Sequence, residues 1–387
     1  MALALCGARV FDGTAMREGH AVVIDGDHIR GLVPELSLDV SIERLILKGG
    51  LLAPGFIDVQ VNGGGGVLLN GDPSLAAVRR IAQAHRQFGT TGMLPTVITD
   101  TQEVLASAIA AVRSARTEVP GVLGIHIEGP FLDQGRKGAH AANHLRAMTA
   151  SDIDMIAGAD CGVVMLTVAP NRVTPAQIAE LTRRGVLVSL GHAEADLAEA
   201  QAALQAGARA FTHIFNAMSQ LTGREPGMVG AALSDPDSYA GVIADGHHVH
   251  DLSLQLALRL KRLDRIMLIT DAMPAAAGGP DVFTLQGRTV RRVAGRLQLD
   301  DGTLAGSTLT MDEAVRYAVN RLGLGLGDAL RMASRNPAAF LRRDHELGQI
   351  APGYLASLVH LADDLSVMET WIDGSANGLP AGAAIGG

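Results

Sequence analysis

Apolar positions along the chain fall into two rhythms. From residue 56 to about 270, short runs rich in Val, Ile and Leu alternate with stretches whose apolar positions recur at helical spacing. The runs at 56–61, 93–99, 122–128, 163–168, 186–190, 210–213, 240–244 and 266–270 predict strands. Helical spacing fills 74–88, 101–116, 174–184 and 193–206, with Pro175 near one helix start and Gly207 just past another's end. Eight strands with intervening helices predict an α/β fold, a (β/α)₈ TIM-type barrel. No G-x-G-x-x-G follows any strand, and the glycine run 63–66 lacks that spacing, which argues against an open nucleotide-binding sheet.

The two ends of the chain read differently. Residues 1–53 carry short apolar runs broken by Asp12-Gly13 and Asp25-Gly26, and residues 350–387 repeat the style, with strands expected at 357–361 and 367–372. Together they predict a small β-sandwich built from both termini, flanking a barrel over 54–349. One stretch within the barrel breaks the alternation. Residues 281–301 read as an inserted β-hairpin, placed where it can cover a substrate.

Composition narrows the function classes. Among 387 residues, 48% are hydrophobic, 19% charged and 3% aromatic, which describes a soluble protein with an aliphatic core. A net charge of −8 argues against a nucleic-acid partner. No basic leader and no apolar run of transmembrane length appears, so no membrane partner is expected. Cys6 and Cys161 form no metal or disulfide pattern, which fits a reducing, cytoplasmic compartment.

The candidate chemistry lies at the carboxyl ends of the strands, where α/β folds mount their active sites. The run 122–128 ends in Glu128, followed at once by Gly129-Pro130, and later runs end in or near His192, His213 and Asp271. Any one of these alone reads equally well as a solvated rim residue. Four at successive strand ends read as a site. One carboxylate and two imidazoles form a three-ligand set that leaves a divalent metal one open position. Asp271 is then placed for proton transfer.

Several motifs resemble the amidohydrolase superfamily, beginning with Pro54-Gly55-Phe56-Ile57-Asp58 after a β-rich start. Others are His126-Ile127-Glu128-Gly129-Pro130-Phe131, Lys137-Gly138-Ala139-His140, Ser189-Leu190-Gly191-His192 and Thr212-His213-Ile214-Phe215-Asn216-Ala217-Met218. Gly223-Arg224-Glu225-Pro226-Gly227, Ala244-Asp245-Gly246-His247-His248-Val249, Thr270-Asp271-Ala272-Met273 and Gly306-Ser307-Thr308-Leu309-Thr310-Met311 complete the set. Within the superfamily, these are similar to the N-acetylglucosamine-6-phosphate deacetylases over nearly the whole chain.

That resemblance implies hydrolysis of the acetamide of an amino-sugar phosphate, one divalent metal per chain on Glu128, His192 and His213, and a homodimer. Zinc is the expected metal, with iron, cobalt or manganese acceptable to the same donors. It implies catalytic roles for Asp271 and His248, the latter steadying an oxyanion. It also implies substrate contacts from Ala139, His140, Asn216, Ala217, Arg224, Leu304, Ala305 and Gly306. The His-x-His of most superfamily members is replaced here by Gln60 and Asn62, so Gln60 is expected to line an empty second metal position. His126 is expected behind the metal ligands or in the core. The alternatives are the galactosamine epimer, a cyclic amide, or a non-catalytic sugar-phosphate-binding protein.

Overall fold

In the computed structural model, residues 2–377 are described. Eight parallel strands follow one another in chain order: β1 (Phe56–Val61), β2 (Thr90–Ile98), β3 (Gly124–Glu128), β4 (Val163–Val168), β5 (Leu187–Leu190), β6 (Ala210–Phe211), β7 (Tyr239–Val242) and β8 (Ile266–Leu268). They form a nearly closed TIM-type barrel. The first and last strands meet just beyond β8, through a bridge between Val61 and Ala272 and a 3.0 Å bond from the Asp271 N–H to the Gln60 carbonyl.

β6 and β8 are shorter than their apolar runs. His192, His213 and Asp271 lie past the last paired residues of their strands, with φ of +50°, +33° and +50°. Non-glycine residues in this region cost on the order of 1–3 kcal/mol each and persist where surrounding structure over-determines them. Here the left-handed turn sets these three side chains at the barrel's carboxyl end.

The helix expected over 193–206 begins only at Leu197. Asp196 caps it by accepting from the Glu199 N–H, while Glu199 returns the bond, and Ala193 is held upstream by bridging to Met218. The inserted segment is a three-stranded antiparallel meander, Val282–Leu285, Arg288–Val293 and Arg296–Leu299. Leu285, Val290, Leu297 and Leu299 share a core with Ile98 and Met273, which seats it on the barrel rim. Gln286 donates to Asp100 at 3.0 Å and Arg288 donates to the Ala139 carbonyl.

The terminal segments form a four-stranded and a six-stranded sheet. Leu358–Leu361 pairs antiparallel with Leu51–Pro54, so the C-terminal region completes an N-terminal sheet. Leu5, Val22, Ile24, Leu52, Leu358 and the fully buried Trp371 make a core separate from the barrel's. We propose domain boundaries at 53/54 and 349/350; the part of 350–387 beyond residue 377 lies outside the described residues. No helix among the described residues is long and apolar enough to cross a membrane.

Candidate active site

Glu128 ends β3, His192 and His213 follow β5 and β6, and their donor atoms converge. Glu128 Oε1 lies 3.1 Å from both His192 Nε2 and His213 Nε2, which are 3.0 Å from each other. Donors around one tetrahedral ion at bond lengths of about 2.0–2.1 Å are separated by roughly 3.4 Å, close to this spacing. His192 Nδ1 lies 3.0 Å from the Arg136 carbonyl and can only donate there, which leaves Nε2 a lone pair in the neutral ring. That lone pair faces a carboxylate oxygen, a repulsive contact that a cation between them turns attractive. The donor set therefore fits a divalent ion.

A second convergence includes His140, whose donor lies within 4.8 Å of those of Glu128 and His192. Its ring meets that of His192 edge-on at 4.4 Å, and its Nδ1 is 2.8 Å from Thr99 Oγ1. His140 was expected only against substrate; the structure also places it beside the donor cluster.

Burial depresses His213, yet the Glu128 carboxylate outweighs it and the imidazole ends above its ordinary value. Desolvation, with the histidines around it, drives His140 well down.

Asp271 sits across from this cluster, pushed above the ordinary carboxylate value by burial and by the charge of Glu128. One oxygen, Oδ1, accepts from Asn62 Nδ2 at 2.7 Å and from Gln60 Nε2 at 3.2 Å. Gln60 Nε2 also lies 3.2 Å from both Glu128 oxygens. The amide standing in place of a histidine thus bridges the two acids. Below them Asp58 is wholly buried, bonded to Thr270 Oγ1 at 2.5 Å, and burial raises its carboxyl to about 7.

His248 Nδ1 is 2.6 Å from Asp245 Oδ2, while Asp245 Oδ1 accepts the backbone N–H of His247 and His248. Burial opposes ionisation of Asp245, but these bonds prevail and its pKa is lowered. Asp245 thus fixes the His248 ring through Nδ1 at the edge of the cavity.

These groups border a cavity of about 380 Å³, within the usual range for small-molecule sites. Its lining includes Glu128, Ala139, His140, His192, His213, Asn216, Ala217, His248, Asp271, Leu304, Ala305 and Gly306. Gly306 has φ +65°, and a Cβ there would lie 2.7 Å from the Asp271 carbonyl, so only glycine fits that approach. Gln60 stands behind Glu128 and Asp271 rather than in the cavity wall. His126 is fully buried and bonded to Thr167 Oγ1 at 2.8 Å, in the core.

Arg224 is the expected contact that the chain does not bring in. It is exposed on the turn closed by Thr222 and Glu225 and does not line the cavity. Conversely, sequence reasoning gave no role to Asp245, Asn62, Thr99 or Arg136. Asp245 carried a local signal, an acid three residues before His248. Asn62 was marked only as the replacement for a missing histidine, and Thr99 and Arg136 carried no signal, because their partners are distant in sequence.

Residues 51–376 match the model described as Amidohydrolase family, and residues 3–52 that of the NagA composite domain. N-acetylgalactosamine-6-phosphate deacetylase of Shewanella sp. (strain ANA-3) is 45% identical over 95% of this chain and 94% of its own. N-acetylglucosamine-6-phosphate deacetylase of Haemophilus influenzae is 32% identical over 97% of this chain and 99% of its own. The crystal structure of N-acetylglucosamine-6-phosphate deacetylase from Pasteurella multocida superposes with a TM-score of 0.94 at 34% identity, covering 97% of this chain and 99% of that one.

Proposed function

The chain belongs to the Amidohydrolase family, and from that premise we propose that it hydrolyses the acetamide of N-acetyl-D-glucosamine 6-phosphate to D-glucosamine 6-phosphate and acetate. The observation that carries this is the donor cluster of Glu128, His192 and His213 facing Asp271 across one cavity. The family is metal-dependent, and Glu128, His140 and His192 already form a place for an ion. We assign the ion to Glu128, His192 and His213, the tightest triangle, and keep His140, which lines the cavity, for substrate. Zinc is our choice of ion, since one carboxylate and two imidazoles suit it.

A divalent ion bound there supplies Lewis acidity, favouring a nucleophilic water near neutral pH and a polarised amide carbonyl. The chain's own residues do the rest. Asn62 and Gln60 occupy Asp271 Oδ1, which leaves Oδ2 to take a proton from the attacking water. As the C–N bond breaks, Asp271 returns that proton to the departing amine, and acetate leaves with the water's oxygen. His248, held at Nδ1 by Asp245, steadies the carbonyl oxygen as negative charge gathers on it. Ala139, His140, Asn216, Ala217 and the segment 304–306 border the sugar.

Arg224, exposed and outside its own cavity, can meet a phosphate only in another subunit's site. We therefore join it to the homodimer that the family resemblance implies. Two buried free cysteines, Cys6 and Cys161, favour a cytoplasmic setting. A second reading, the N-acetylgalactosamine epimer, is favoured by the 45% identity to the Shewanella enzyme against 32% to the Haemophilus one. Acetate release from both 6-phosphates, with metal measured on the same sample, decides between them. Release from neither would reject both.

A further inference from the structure

The cavity grades from a dry floor to an open mouth, and one guanidinium stands at the mouth. The side chains of Glu128, His192 and His213 are 3%, 6% and 5% exposed, whereas that of Arg136 is 35% exposed and still lines the cavity. Arg136 Nε donates to the Glu194 carboxylate. Its two terminal nitrogens have no hydrogen-bond partner among the described residues. The main chain of the same residue is fixed, because its carbonyl accepts from His192 Nδ1 at 3.0 Å.

We propose that Arg136 binds the phosphate of the substrate, with Glu194 as the positioning residue that aims it. The proposal rests on the sugar-phosphate reading above and adds a recognition group from within the same chain. The acetamide and the 6-phosphate stand at opposite ends of the hexose. An amide seated on the dry floor therefore sends its phosphate toward the mouth, where Arg136 waits. A guanidinium held at Nε keeps its terminal N–H groups side by side, the geometry that meets two phosphate oxygens at once. Because Arg136 hangs from the segment that orients His192, the anchor and the reacting centre share one rigid piece of chain.

Arg136→Gln keeps length and polarity but removes the charge. A charge-assisted hydrogen bond is worth enough to cost about 10- to 100-fold in kcat/KM on the phosphorylated sugar, expressed mainly in KM. On the unphosphorylated N-acetyl sugar the loss should be at least about tenfold smaller. Arg136→Lys should recover part of the affinity, and Glu194→Gln should lose affinity in the same direction to a lesser degree. Calorimetry with inorganic phosphate should show weaker binding to Arg136→Gln than to the unsubstituted protein. Equal losses on both sugars, phosphate binding as tight as in the unsubstituted protein, or loss of bound metal from Arg136→Gln would overturn the assignment. Should the unsubstituted protein release acetate from neither epimer, the functional reading fails alone. Arg136-dependent phosphate binding would still stand, and its absence would sink Arg136 as well.

Discussion

Replacing Asp271 by Asn separates the catalyst from the donor set. Asp271 Oδ1 accepts from Asn62 at 2.7 Å and Gln60 at 3.2 Å, and the oxygen of an asparagine can take both bonds. The new NH₂ then falls where Oδ2 stood, so the site keeps its shape but has no atom there to accept a proton. General acid–base transfer contributes about 10²–10⁴-fold, so turnover should drop by at least that much. At 1.36 kcal/mol per decade this is about 2.7–5.4 kcal/mol of transition-state stabilisation. Because proton removal and proton return both rest on this group, the loss can exceed that range. Glu128, His192 and His213 are untouched and should hold the ion. Acetate release and bound metal are to be measured on one preparation. Activity within about tenfold of the parent would refute proton transfer by Asp271, and complete metal loss would recast it as a ligand.

Protein purified without added metal should contain about one equivalent of divalent ion per chain, because Gln60 and Asn62 replace two imidazoles; two equivalents surviving dialysis would refute this. His213→Ala should lower metal content and activity together, and retained metal would remove His213 from the ligand set. Arg224→Ala should raise KM for the phosphorylated sugar by about 2–4 kcal/mol equivalent while barely changing the unphosphorylated one. Sedimentation should show a dimer; a fully active monomer would deny Arg224 its route to a phosphate. Asp58 holds its proton in the fold up to about 7, whereas in the unfolded chain it loses it near about 4. Stability from this group therefore falls as pH rises through that window, and Asp58→Asn should flatten the fall in the denaturation midpoint. An unchanged slope would refute it.

The barrel was legible because its strands are buried on both faces. A parallel strand hidden on each side must be apolar almost throughout, and β1 to β8 stand out for that reason. What the pattern could not place was where each strand stops. Buried residues continue past β6 in Thr212 and past β8 in Ile269 and Thr270, yet the chain leaves the sheet before His213 and Asp271. Hydropathy records burial, and these residues stay buried after pairing ends. The helix start at Leu197 escaped for a similar reason: Ala193 and Ala195 are as apolar as helix residues but serve a turn that Asp196 closes. The meander was readable as turns and strands, though only its packing on Ile98 and Met273 showed what it covers.

The site separates more sharply. Glu128, His192, His213 and Asp271 could be found because each follows its own strand, so chain order carries their position. Their supports could not. Asn62 reaches Asp271 across 209 positions, and does so only because the barrel closes between Val61 and Ala272. Arg136 orients His192 through its carbonyl, a group every residue possesses, so no side-chain pattern could announce it. Arg224 shows the converse: a motif singles out the residue, and the fold leaves it exposed outside the cavity. Chemistry that depends on residue type survives in sequence, whereas chemistry that depends on which backbone atom stands nearby has to be seen in the fold.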